Sequence, residues 1–190
     1  MSTKVMTGLG LPFYETALEF TLDMAERRRH QLIRYPAAVI VLASTALDAY
    51  MNETLAFFHF MEHDLQKRQE IAGLRTEKLR QKWIAAPLLL GGTAFDASAE
   101  PFLSFDLMLR LRNKLVHYSA GFRTTSEYPL EKIEEYRKRF TFTHEGTADW
   151  TSQVLNLDCA RWGCRTAHAM VQTFHKLSHV QQLQFWPDPA

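Results

Sequence analysis

The sequence is poor in cysteine and in turn-forming residues. Its two cysteines, Cys159 and Cys164, form no CxxC pair. That excludes thioredoxin-type chemistry, a zinc ribbon and a disulfide-stapled secreted scaffold. Glycine (8) and proline (7) fall below their usual share of 190 residues. Few turns mean few, long elements, against a sandwich, a barrel or a glycine-loop nucleotide fold. A charge excess is missing too, with 22 basic residues facing 21 acidic ones. Binding to nucleic acid through bulk charge is not expected, while a local basic cleft stays compatible with this balance. The longest apolar stretch, Pro36 to Leu47, ends at Asp48, well short of the roughly 20 residues that span a bilayer. The segment from Met1 to Met6 has no apolar run of a signal peptide. A cytosolic protein without a membrane segment is expected. No GxSxG, Walker or dinucleotide-binding fingerprint occurs.

What is present is a helical pattern. Hydrophobic residues make up 46% and charged residues 23%, as in a packed globular protein. The length favours a single domain over 1–190, with a core from about 12 to 183 and short unstructured termini. Pro12 opens a first helix to about Arg34, and Pro36 a second to about Asp64. The second is apolar nearly all round, as a helix at the centre of a bundle must be. From Leu65 to Ala86 the charged run reads as one peripheral helix with a solvated face. Pro87 and Gly91-Gly92 mark a loop, and Ser98-x-x-Pro101 leads into a strong helix that Gly121 stops. A short charged helix, Glu131 to Arg139, follows Pro129. Phe140 to Thr151 fits a small hairpin or an irregular loop equally well. Asn156 to about Leu183 forms the last helix. The expected fold is all-α: one bundle of four or five long helices, with an irregular or hairpin insertion near 140–151.

The chemistry concentrates in Leu109-Arg110-Leu111-Arg112-Asn113-Lys114-Leu115-Val116-His117-Tyr118. At about 100° per residue, Phe102, Phe105, Met108, Leu109 and Val116 share a broad apolar arc. Asp106, Arg110, Asn113 and His117 lie on a polar arc. Arg112 falls between Met108 and Val116, inside the apolar arc, where an always-charged guanidinium needs a partner. Two readings fit such an arginine. It makes a buried or interface salt bridge or snorkels to water, or its arc faces a cleft or a second subunit where an anion arrives. Asn113 and His117, four apart, are neighbours on the helix, and Ser119-Ala120-Gly121 puts His117 in its last turn.

The string Arg112-Asn113-x-x-x-His117 resembles the signature of HEPN domains: an arginine, a polar residue beside it and a histidine a few residues on. The flanking leucines, Tyr118 and the helical pattern from about 12 to 180 are also similar to that family, whereas 122–152 does not align with it. On the second helix, Ser44, Asp48 and Asn52 form a polar line at i, i+4, i+8. The fragment LDAYMNETL looks like the helix that HEPN domains pack beside the motif. Either these side chains bond to backbone, or Asp48 orients Arg112 or His117.

The resemblance implies a metal-independent RNA endonuclease without a cofactor. In it the 2′-OH attacks phosphorus to leave a 2′,3′-cyclic phosphate. His117 is implied as general acid or base, Arg112 as the ligand of the phosphate, and Asn113 as a positioner. Two protomers pair around a shared cleft, because one histidine does not readily serve as both base and acid. Arg110 and Lys114 would rim that cleft and Tyr118 would stack a base. A toxin or anti-phage setting, held off by a protein antitoxin, belongs to the same resemblance. The rival is a non-catalytic dimerisation or adaptor module that binds a protein or a nucleotide through the same surface.

Other signals read as structural. His168, Gln172, His175 and His179 make a stripe on the last helix, best explained as a hydrated polar face rather than a metal site. His59 and His63, followed by Asp64, lack the further ligands of a metal site. Cys159 and Cys164 read as core thiols, and Arg27-Arg28-Arg29-His30 as a solvated helix end.

Overall fold

A computed structural model describes residues 8–26, 34–117, 133–142, 150–178, 180 and 186–189. They form α1 (Gly10–Glu26), α2 (Arg34–Met61), α3 (Leu65–Thr76), α4 (Leu79–Leu89), α5 (Phe102–Val116), α6 (Ile133–Arg137), α7 (Trp150–Val154) and α8 (Leu157–Ser178). No strand occurs among the described residues, and the fold is all-α. None of the described helices is long and apolar enough to cross a membrane.

α2 is the hub, packing against α1, α3, α4, α5 and α8. Its small residues Ala43 and Ala46 are fully buried beside Val39, Ile40, Leu47 and Met51, so neighbouring helices come close on several sides. α8 approaches at Gly163, where a Cβ would meet the Cδ1 of Ile40 at 2.8 Å. α1 approaches with its first turn. The Glu53 carboxylate of α2 accepts the free N–H groups of Leu9 and Gly10, capping α1 from outside. Pro12 and Pro36 lie in the first turns of α1 and α2, where a missing N–H removes no helical bond.

The expected single helix from Leu65 to Ala86 is two helices. Glu77 and Lys78 are extended, with ψ of 165° and 147°. α3 buries only Ile71, whereas α4 buries Trp83, Ala86 and Pro87. The break lets α4 turn Trp83 into an aromatic cluster with Tyr50, Phe95, Phe105 and Phe174. Burial of that one indole outweighs the continuity of a charged helix. Pro87 does not start the loop but sits in the last turn of α4. The stop comes at Gly91, whose φ of +97° suits glycine.

α8 starts as expected. The Asn156 side chain accepts the Cys159 N–H at 2.9 Å, an N-cap bond. α8 ends at Ser178. α5 ends at Val116, and the stop expected at Gly121 lies outside the described residues. Between 140 and 151 only the flanks are described: Phe140 stacks on Phe142 and packs against Trp162.

The C-terminal segment departs from the expectation of an unstructured tail. Trp186 is 1% exposed and stacks on Tyr14 at 4.4 Å between ring centroids. The Tyr14 hydroxyl donates to the Pro187 carbonyl at 3.3 Å. An indole that covers two tyrosines from α1 and α2 orders its own segment, because its buried area offsets the backbone entropy.

Candidate functional site

α5 carries the Arg-Asn-x-x-x-His string on a helix held by its other face. Phe102, Ser104, Phe105, Leu107, Met108 and Leu111 are buried. The core-facing arc therefore centres on Leu111 and Met108, not on Leu109 and Val116. Val116 is 49% exposed and Leu109 only part-buried. Leu107, Leu111 and the short Ser104 bury deeper because α2 and α8 both pack on that side. This corrects the position of Arg112. It stands half-buried at the margin of the core rather than inside an apolar seam. Its Nη1 donates to the Asn113 Oδ1 at 3.1 Å, so a neutral amide holds the guanidinium.

His117 is the C-cap of α5, exposed, with its backbone N–H on the Asn113 carbonyl at 3.0 Å. Asn113, Lys114 and Arg110 are exposed on the last two turns. From Phe102 to His117 the sole carboxylate is Asp106, and it is already paired. Arg80 of α4 donates its Nε to both Asp106 oxygens, at 3.1 and 3.2 Å, and lies over the Phe102 ring at 5.2 Å. The end of α5 thus presents Arg110, Arg112, Lys114 and His117 with the only acid of the helix tied down behind them. Arg112 and His117 are five positions apart, about 7.5 Å along the axis and about 140° round it, with His117 at the helix end.

The supporting residues fall elsewhere. Asp48 accepts from Asn52 at 3.0 Å, and Asn52 accepts the Lys82 amine at 2.7 Å. These bonds link α2 to α4, not to Arg112 or His117. Ser44 donates to the Ile40 carbonyl one turn back. Tyr118 lies outside the described residues. Arg80 and Lys82 were hidden in a charged run that reads as solvent-facing. The break at Glu77-Lys78 turns both towards the core, and no local signal announces it.

The histidine stripe of α8 is not a hydrated face. His168 Nε2 faces Asp188 at 3.3 Å. His175 Nδ1 lies 3.1 Å from the Val180 carbonyl, so Nδ1 carries the hydrogen and Nε2 accepts from the Tyr50 hydroxyl at 2.8 Å. Residues after α8 cover the stripe. Burial holds His175 below its ordinary pKa. His179 and the basic run 27–30 lie outside the described residues. Among the described residues no group of three or more His, Cys, Asp or Glu could hold a metal ion. Both cysteines are buried and free. Burial pushes the thiol of Cys164 up to about 11 and that of Cys159 higher still.

No family model matches the chain, and neither a curated protein nor a solved structure matches it.

Proposed function

We propose that the protein is a metal-independent RNA endonuclease of the HEPN type, acting as a cytosolic homodimer. The observation that carries this reading is the end of α5. Arg112 is held by Asn113, His117 is an exposed cap, and the one acid of the helix is consumed by Arg80. Such a cationic end with a titratable imidazole suits a phosphodiester.

In the proposed reaction, His117 of one protomer takes the proton of the 2′-OH, whose oxygen attacks phosphorus. The bond to the 5′-oxygen breaks, and His117 of the second protomer returns a proton to that leaving oxygen. Arg112 binds the phosphoryl oxygens, whose charge grows in the transition state. Asn113 positions the guanidinium, and Arg110 and Lys114 attract the strand. The products are a 2′,3′-cyclic phosphate and a 5′-hydroxyl. Exposed Val116, next to His117, supplies apolar surface at the motif for the second protomer. A toxin or anti-phage effector restrained by a protein antitoxin is the setting this reading favours.

The test is cleavage of a labelled RNA in EDTA by wild type and His117→Ala of equal mass in solution. Cutting by wild type alone, leaving cyclic phosphate ends, supports the reading. Equal cutting would mean a contaminant or a site elsewhere, and none across a panel that includes tRNA transfers the surface to a non-catalytic dimerisation or adaptor module.

A further inference from the structure

We infer that the groove between α3 and α4 docks a basic amphipathic helix of another protein. The groove has a volume of about 740 Å³ and is lined along the whole of α3, from Asp64 to Glu77. At 1.5 Å per residue that is about 20 Å, the length of three to four turns of a helical ligand. Its floor is apolar: Leu74, Ala85, Leu88 and Leu89. Leu88 is 60% exposed, an aliphatic side chain left largely uncovered by the described residues. Beyond Asp64 the apolar surface continues at the α2–α3 corner, where Phe60 and Leu65 are 74% and 72% exposed.

Gly73 supplies an independent sign of a partner. It lies inside α3, where glycine is about 1 kcal/mol worse than alanine. Helical glycines elsewhere in the chain have a local reason. A Cβ on Gly163 would strike Ile40, and one on Gly10 would meet the Tyr50 backbone at 3.0 Å. At Gly73 a Cβ would meet nothing within 4 Å, and its φ is not positive. No contact among the described residues calls for a missing side chain there, yet Gly73 lines the groove. A close-lying helix from outside would call for it.

The rim selects the charge of the ligand. Asp64, Glu70 and Glu77 line the groove against a single cation, Lys67, which is tied to Glu62 at 3.4 Å. An acidic rim repels RNA and anionic lipid and attracts lysine or arginine flanking an apolar stripe. Helix-in-groove recognition anchored at i, i+3, i+4 and i+7 matches this shape. The inference is independent of the nuclease reading, and its test does not involve RNA cleavage.

The probe is a fluorescein-labelled synthetic peptide of about 14 residues, with leucines at i, i+3, i+4 and i+7 and lysines elsewhere. Anisotropy is read against the full chain, beside a peptide with every lysine replaced by glutamate and a scrambled one. The lysine peptide should bind at least roughly tenfold more tightly than either. Gly73→Leu, which keeps the helix by dichroism, should weaken binding by roughly tenfold or more. Leu88→Gln checks the same floor from α4. The double variant Glu70→Lys with Glu77→Lys should invert the preference between the two charged peptides. Equal binding of the charged peptides, or unchanged binding by Gly73→Leu and Leu88→Gln, would overturn the inference. So would concentration-dependent self-association that Gly73→Leu abolishes, because the occupant would then be a second copy.

Discussion

The Lys82 amine donates to the Asn52 side-chain oxygen at 2.7 Å while the residue is only 7% exposed. A largely buried lysine therefore ends on an exposed neutral amide, which leans in turn on Asp48. Removing the acceptor leaves the charge without its hydrogen bond. Asn52→Leu should destabilise the fold by about 2 kcal/mol. Lys82→Met, which removes charge and need together, should change stability by less than about 1 kcal/mol. Urea titration of both variants checks the asymmetry. Equal losses would mean the bond matters less than the packing of the lysine stem.

One substitution type should act with opposite signs at two glycines. A Cβ on Gly92 would lie 1.7 Å from the Leu177 carbonyl oxygen, where Thr93 N–H also bonds at 3.0 Å. Gly92→Ala forces the loop away from the end of α8 and should cost about 3 kcal/mol. Gly73→Ala gains helix propensity without a clash and should stabilise by about 1 kcal/mol. Thermal melts of the two variants should bracket the wild type.

Stability should fall on mild acidification because of His175. Its folded pKa is lowered by burial, whereas in the unfolded chain it is near 6.5. Below that value the unfolded chain binds the proton and the folded one resists it. The His175 contribution is therefore complete above about pH 7 and declines as pH drops through 6.5. Urea midpoints between about pH 7.5 and 5.5 should fall more steeply for wild type than for His175→Gln. Parallel slopes would remove His175 from the account.

The two readings of α5 separate on one variant. His117 is exposed, and among the described residues its backbone N–H bonds the Asn113 carbonyl. His117→Ala should shift stability by less than about 0.5 kcal/mol and leave the solution mass unchanged, while abolishing RNA cleavage. A change in assembly with cleavage intact would favour the adaptor module.

The thiols should be inert. Cys159 and Cys164 are buried, and their raised pKa values leave almost no thiolate at neutral pH. A maleimide should label neither in the folded protein and both in denaturant, read by mass spectrometry.

The residues that carried the helical reading were those whose meaning is local. Pro12 and Pro36 mark first turns, Asn156 an N-cap, and the apolar run after Pro36 a central helix. The residues misread depend on distant partners. Glu77 and Lys78 break a helix so that Trp83 can meet Phe174, a demand set nearly a hundred residues away. The α5 wheel puts Val116 on the apolar arc and leaves Ser104 out of it. Burial reversed both, since the bundle axis rather than residue type chooses the inner face. Trp186 and the His175 stripe were legible only once Tyr14 and Tyr50 had been placed. Arg112, Asn113 and His117 stand out in the sequence because the string is contiguous. Arg80, which neutralises Asp106, was not.

The position of α8 also bears on synthesis. It packs on α1, α2, α4 and α5 and is the last of the described helices to be translated. Until it leaves the ribosome, Ile40, Tyr50 and Trp83 lack the cover that α8 gives them. Full burial of these side chains thus waits for α8, and the interval before it is when the chain most needs a chaperone. A stop codon anywhere ahead of Leu157 would release a polypeptide lacking the helix that closes the bundle, a substrate for proteolysis rather than a shorter working protein.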